Sequence, residues 1–214
     1  LKKFPTSDAA ALLNRKIEEK GVHNIAWMVD ANDGIFTSAK SLLVRPEDFK
    51  GVKIRGLNKL FDAGLIAMGA APSAMPGSEV YQALQTGVID AGFTGVAAAY
   101  SRRYYEVQKF GAASTIITAY SNLVVNPAWW DKLPPDLRNA VQAAAHKAEA
   151  TLLPTTDEIS PDDIKRLRDK GMNVVVLTRD QEKALAAAMQ PAVIKAFDSA
   201  SPDAPKLIEM VKKL

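Results

Sequence analysis

The chain has 214 residues, 48% hydrophobic and 24% charged, with 27 Lys and Arg against 24 Asp and Glu for a formal charge of +3. That balance can bury a substantial core in one or two domains, and cations spread along the chain rather than blocked argue against a nucleic-acid partner. The absence of cysteine excludes disulfides, thiolate metal sites and a cysteine nucleophile, and leaves His23 and His146 as the two imidazoles.

No apolar run approaches the ~20 residues of a membrane-spanning helix. The opening "LKKFPTSDAAALLNRKIEEK" reads as a charged amphipathic helix rather than a secretory leader, and a chain that opens this way without Met reads as a processed or truncated product. Ser7 can cap that helix and Gly21 stop it, after which "NIAWMV" reads as a buried strand over residues 24–29. "VRPEDFKG" is a short helical turn with Pro46 near its start and Gly51 at its end, leading into the strand "VKIRG". There Val52 and Ile54 face one way, and Lys53 and Arg55 the other.

"NKLFDAGLIAMG" sets Leu60, Phe61, Leu65, Ile66 and Met68 at helical spacing and stops at Gly69; "APSAMP" then reads as a short strand. Ser78 is expected to cap the next helix, with Val80, Ala83 and Leu84 as its apolar stripe and Gly87 as its stop, and "VIDAGF" follows as a strand. Strand, helix, strand, helix, strand with short crossovers predicts a parallel sheet with right-handed connections. Such sheets place ligands at the carboxyl ends of their strands, here 55–58, 75–78 and 93–95. Helix N-termini at those ends offer N–H groups to an anion.

Downstream, "STIITAYSNLVVN" is expected to be β-rich. Asn126 and Pro127 open a helix that restarts after Pro134 and Pro135 and runs as a long Ala-rich helix, which Pro154 should end or kink. Ser160 and Pro161 start another helix stopped by Gly171, and "MNVVVL" is a buried strand. From Thr178, with Gln181 completing a possible capping box, the tail reads as helices interrupted at Pro191 and Pro202.

In this order, "EDFKGVKIRG", "MGAAPSAMPGSEVYQALQTGVIDAG", "YYEVQKF", "NPAWWDKLPPDLRNAVQAAA" and "GMNVVVLT" resemble the solute-binding proteins of tripartite ATP-independent periplasmic (TRAP) transporters, over residues 12–196. The resemblance implies an α/β, two-lobed periplasmic-binding-protein fold (type II-like) with parallel-rich sheets, the first lobe incomplete in this chain. It divides the chain into 1–45, a remnant of the first lobe and a crossing strand; 46–125, the second lobe with most ligand-facing strand ends; and 126–214, a long interlobe helix and the return to the first lobe. It implies a periplasmic, non-enzymatic protein without a cofactor or a bound metal. The implied partners are a small organic acid ligand and the TRAP permease membrane subunits, with self-association through the incomplete first lobe as a further expectation.

The family's signature arginine falls on Arg55 of "KIRG", where a planar guanidinium can clamp a carboxylate with two charge-assisted hydrogen bonds; from the residues alone it could equally be a solvated surface arginine. Asn58 falls where the family bonds its ligand and is also placed to cap the next helix. Met75 stands at a ligand-facing strand end. Gly77 stands where relatives carry a larger ligand-facing side chain, or is a turn glycine. In "DAGFTG" Phe93 and Thr94 take the places where relatives carry polar residues, which predicts an aromatic wall with one hydroxyl and a less polar acid. Some relatives carry a second arginine near Ile35 and this chain has none, which points to a ligand with one carboxylate, or to one whose second acid group meets the missing lobe.

Asp90 reads as a brace at the strand rather than a catalytic acid. Tyr81 and Tyr120 are either pocket or core residues. "SRRYYEVQ" interleaves basic and aromatic residues, as a nucleic-acid platform does, but a single Arg pair fits an interlobe or permease-facing surface better. Trp129 and Trp130 point about 100° apart on a helix, one toward core. His146 is expected in solvent, and His23 has no obvious partner. Beside the binding protein stand a ligand-sensing module and an enzyme on the same scaffold, since fold does not fix function.

Overall fold

The structure, a computed structural model, describes residues 3–153 and 159–214. In chain order its elements are α1 (Asp8–Glu18), β1 (His23–Ala31), β2 (Gly34–Ser38), β3 (Lys53–Gly56), α2 (Lys59–Ala67), β4 (Ala71–Ala74), α3 (Val80–Gln85), β5 (Ala91–Thr94), α4 (Val96–Ser101), β6 (Phe110–Ser114), β7 (Ala119–Val125), α5 (Pro127–Lys132), α6 (Pro135–Leu152), α7 (Pro161–Asp169), β8 (Asn173–Val176), α8 (Arg179–Asp198) and α9 (Ala204–Lys212). The fold is α/β, as expected. The chain forms two compact units, one of residues 1–31, 118–156 and 202–214, the other of 32–117 and 157–201. The three consecutive segments expected from the sequence cut across these interleaved units.

In the first unit β1 and β7 form an antiparallel ribbon. Helix α6 lies along β1: Glu149 accepts from the backbone N–H of Trp27 at 2.9 Å, and Gln142 donates to the carbonyl of Ile25 at 2.9 Å. Ser7 caps α1, its hydroxyl accepting from Ala10 N–H, and Lys16 pairs with Asp203 at 2.9 Å ahead of α9. Trp130 is 8% exposed in the core while Trp129 is 49% exposed, the split that adjacent helical positions require. His23 does have a partner: its Nδ1 lies 2.9 Å from Glu18. Pro154 lies outside the described residues.

The second unit is a six-stranded sheet in the order β4-β3-β5-β2-β6-β8. Strand β3 runs parallel to β4 and β5, as the two short crossovers predict, and β6 runs parallel to β8. Strand β2 is antiparallel to both of its neighbours and was not expected. Its "GIFTS" is buried on both faces, so the polar alternation that marks a half-buried strand is missing. Its small residue is required by a close approach, since a Cβ on Gly34 would stand 2.4 Å from Cζ of Phe93. The same holds for "FGAAS" of β6, where a Cβ on Gly111 would meet the Ile35 side chain at 2.7 Å. The expected β-rich "STIITAYSNLVVN" is therefore divided: β6 ends at Ser114 and β7 begins at Ala119, in different units.

Each face of this sheet is covered by helices. One core joins Phe36, Ile54 and Phe93 of the sheet to Phe61 and Leu65 of α2 and Leu185 and Met189 of α8. The other joins Ile35, Ala113 and Val174 to Val80 and Leu84 of α3, Val96 of α4, Tyr104 and Leu167 of α7. With a side-chain period of two, Ile54 in the first core puts Arg55 on the second face. Asn58 caps α2, Thr178 and Gln181 form the capping box of α8, and Gly51, Gly69, Gly87 and Gly171 take the left-handed conformation at the predicted stops. Ser78 is not the cap of α3; that position is Glu79, which makes no side-chain cap bond.

Pro191 does not interrupt the tail, because α8 continues through it. Packing supplies the reason: Leu185 and Met189 are buried in the core, and the Met189 and Val193 side chains sit against Gly64 of α2. Pro191 itself is exposed. Restoring the lost N–H while returning freedom to the unfolded chain should give a net gain of about 2 kcal/mol, so Pro191→Ala is expected to raise Tm in a calorimetric scan.

Asp90 braces the start of β5. It accepts from Lys40 at 2.9 Å and from the backbone N–H of Lys53 at 3.2 Å, and its own N–H donates to the carbonyl of Lys53. The hydrogen bond from Lys40 holds its carboxyl below the ordinary value of 3.8. A depressed carboxyl stabilises the fold above its unfolded pKa and loses that contribution as pH falls through the folded one. Asp90→Asn should therefore lower Tm at pH 7, and the gap between the two proteins should close on acidification below pH 3.8.

Candidate ligand-binding site

The expected strand ends converge on Arg55. At the end of β3 its guanidinium reaches both neighbouring connections: Nη1 donates to the carbonyl of Phe93 at 2.7 Å and Nε to the carbonyl of Met75 at 3.4 Å. The residue is 9% exposed. Among the described residues no carboxylate stands within ion-pair distance of it, and the charged or polar groups acting on it are Tyr104 and Arg102. Burial, and then the charge of Arg102, push its pKa down, but a guanidinium keeps its proton in proteins. An ion withdrawn from water without a counter-charge costs several kcal/mol, and two carbonyl acceptors offset only part of that.

Three further groups complete it. Thr94, buried at the end of β5, accepts from Nη1 of Arg102 at 2.9 Å. Arg102 lies over Gly77, where a Cβ would stand 2.6 Å from its Cζ. The hydroxyl of Tyr104 is fully buried and, among the described residues, makes no hydrogen bond of good geometry, although the Arg102 guanidinium is near enough to act on it as a donor. Burial raises its pKa, against the charges of Arg55 and Arg102 and the approach of the Arg102 guanidinium, so it stays neutral.

The residues singled out in the sequence divide into three groups. Arg55, Met75, Gly77, Phe93 and Thr94 come together, Met75 and Phe93 through their carbonyls. The ring of Phe93 does not form the expected aromatic wall: it is 3% exposed and packs 4.6 Å from Phe36 and 4.8 Å from Phe61, centroid to centroid. Strand alternation explains this, since Phe93 points to the face opposite Arg55 and Thr94. Asn58 spends its Oδ1 on the N–H groups of Leu60 and Phe61 as the cap of α2. Tyr120 belongs to the other unit, its ring packed against Phe4 and Trp27. Tyr81 donates to Glu106 at 2.9 Å.

Arg102 and Tyr104 are the residues that sequence reading missed as part of the site. Both lie in "SRRYYEVQ", read there as an interlobe or permease-facing surface. The signal that would have found them is geometric: Arg103 between them has φ 59°, in the left-handed region, and is the one non-glycine residue there among the described residues. Its guanidinium is held by Glu106 at 2.8 Å.

Residues 1–200 match the family model described as DctP, bacterial extracellular solute-binding protein, family 7. The chain is 36% identical over 152 residues to the C4-dicarboxylate-binding periplasmic protein DctP of Rhodobacter capsulatus, covering 71% of this chain and 44% of that protein. It is 30% identical over 205 residues to the 2,3-diketo-L-gulonate-binding periplasmic protein YiaO of Escherichia coli, covering 94% of this chain and 61% of that one. A TRAP periplasmic solute binding protein from Rhodoferax ferrireducens, solved with bound malonate, superposes with a TM-score of 0.87 at 29% identity, over 97% of this chain and 66% of that one. The chain thus spans about half the length of the curated relatives it matches. The family and these relatives are extracytoplasmic, which places this protein outside the cytoplasm. Among the described residues no helix is long and apolar enough to cross a membrane. On the matched residues, the convergent strand ends and the shared fold, the chain belongs to the extracellular solute-binding proteins of family 7, the binding components of TRAP transporters.

Proposed function

We propose that the protein captures a small organic acid in the periplasm, with Arg55 as the carboxylate anchor, and delivers it to a TRAP-type membrane permease. The observation that carries this reading is the buried guanidinium of Arg55, held by two carbonyls and matched by no carboxylate among the described residues. Relatives described as binding C4-dicarboxylates and 2,3-diketo-L-gulonate, and the malonate in the Rhodoferax ferrireducens structure, support an acid as the ligand. The groups around Arg55 also favour holding over turnover. Thr94, Tyr104 and Arg102 supply donors and positive charge, which stabilise a bound carboxylate, and none of them is a base able to take a proton from it at neutral pH.

The reading is tested by calorimetric titration of the intact gene product and of its Arg55→Ala and Arg55→Lys variants with small mono- and dicarboxylic acids. Losing one partner of a buried charge pair costs about 2–5 kcal/mol, so Arg55→Ala should weaken the best acid at least about thirtyfold. Arg55→Lys should recover only part, since a point charge does not form the two-pronged clamp. Tm without ligand should fall little in either variant. Unchanged affinity in folded Arg55→Ala would remove Arg55 from the role of anchor.

A further inference from the structure

Arg55 and Arg102 bridge the same two segments of chain. Arg55 reaches the carbonyls of Met75 and Phe93; Arg102 lies over Gly77 and donates to Thr94. Their attachment points are adjacent along β5 and two residues apart in the connection from β4 to α3, so both guanidinia reach the strand ends, Arg55 buried and Arg102 exposed, near enough for the charge of Arg102 to act on Arg55. Among the described residues neither is ion-paired. The buried hydroxyl of Tyr104, which makes no hydrogen bond of good geometry among the described residues, is under the electrostatic influence of both, and Arg102 is near enough to act on it as a donor.

Three features hold this arrangement. The left-handed Arg103, tied outward to Glu106, lets the two flanking residues turn toward the site. A non-glycine residue in that region marks a constraint imposed by its surroundings. Gly77 leaves the space that the Arg102 guanidinium fills. The Thr94 hydroxyl fixes one prong of the fork, and the guanidinium has further N–H groups to donate.

We propose that Arg102 is a specificity-determining residue of the Arg55 site: with the Tyr104 hydroxyl it takes a second acidic group of the ligand, so that the protein selects small diacids over monoacids. This rests on the anion-binding reading of Arg55. A monoanion neutralises one of two neighbouring guanidinia and leaves the other repelled and unmatched, whereas a dianion answers both. The missing arginine near Ile35, which in the sequence pointed to one carboxylate or to a second acid group met by the other lobe, is compensated by a cation from the segment after β5.

The test is titration of succinate and butyrate, which share a four-carbon chain and differ in one carboxylate, into the intact gene product and its Arg102→Gln, Gly77→Ala and Arg55→Ala variants. The unmodified protein should bind succinate at least about tenfold more tightly than butyrate, as hydrogen bonds to a charged group allow. Arg102→Gln should remove most of that preference, weakening succinate about tenfold or more and butyrate less than about threefold. Gly77→Ala, which keeps the charge but displaces the guanidinium, should shift succinate in the same direction. It also carries the test if Arg102→Gln folds poorly. Equal weakening of both acids, or unchanged succinate affinity in Gly77→Ala, overturns the assignment. Butyrate bound as tightly as succinate, with both lost in Arg55→Ala, overturns it while leaving the anchor intact. Failure of the unmodified protein to bind succinate overturns the assignment, while the anchor stands or falls on the titration of Arg55→Ala with the acid that does bind.

Discussion

The second unit is organised around one constraint, a guanidinium placed where water is excluded and no carboxylate among the described residues meets it. A charge in that position is tolerable only if dipoles are fixed around it, and the strand order supplies them. Because β3 lies between β4 and β5 and runs parallel to both, the chain leaves three strands at one edge, and the carbonyls of Met75 and Phe93 are delivered to either side of Arg55. The crossover helices α3 and α4 leave from the same edge and cover the face to which Arg55 points. What remains unmet among the described residues is positive charge, which is the ground for the proposed carboxylate ligand.

Rigidity on the opposite face serves the same end. Phe36, Phe49, Phe61 and Phe93 pack as an aromatic cluster, with neighbouring centroids 4.6–4.9 Å apart, and fix the backbone of β5 whose carbonyl Arg55 uses. Asp90 ties the start of that strand to β3 through Lys53 and to the connection after β2 through Lys40. The side chains of β5 are thus divided by function: Phe93 holds the strand, and Thr94 faces the site.

Much of this was legible in the sequence because it depends on local rules. Glycines at helix stops, the Asn58 and Thr178 caps and the paired short crossovers are read from a few residues each, and together they located the three strand ends; Arg55 was picked out at one of them by the resemblance to TRAP solute-binding proteins. Strand β2 was not legible, since a five-residue segment buried on both faces shows no alternation and its antiparallel pairing is a long-range choice. The ring of Phe93 was assigned to the ligand because its position was read by alignment with a motif rather than by strand parity. Arg102 and Tyr104 escaped because their place depends on a left-handed turn at a residue, Arg103, whose type does not announce one. Pro191 misled in the opposite direction: a local rule was overridden by the burial of Leu185 and Met189 on the same helix.

The central claim is that the unmatched charge of Arg55 is where the ligand's acid group binds, and the most direct measurement is a crystal structure of the intact gene product grown with succinate. The account predicts a carboxylate in bidentate contact with the Arg55 guanidinium, at about 2.7–2.9 Å, with the carbonyls of Met75 and Phe93 still in place. A bound acid whose carboxylates lie away from Arg55, or an Arg55 paired instead with a carboxylate of the protein itself, would contradict it.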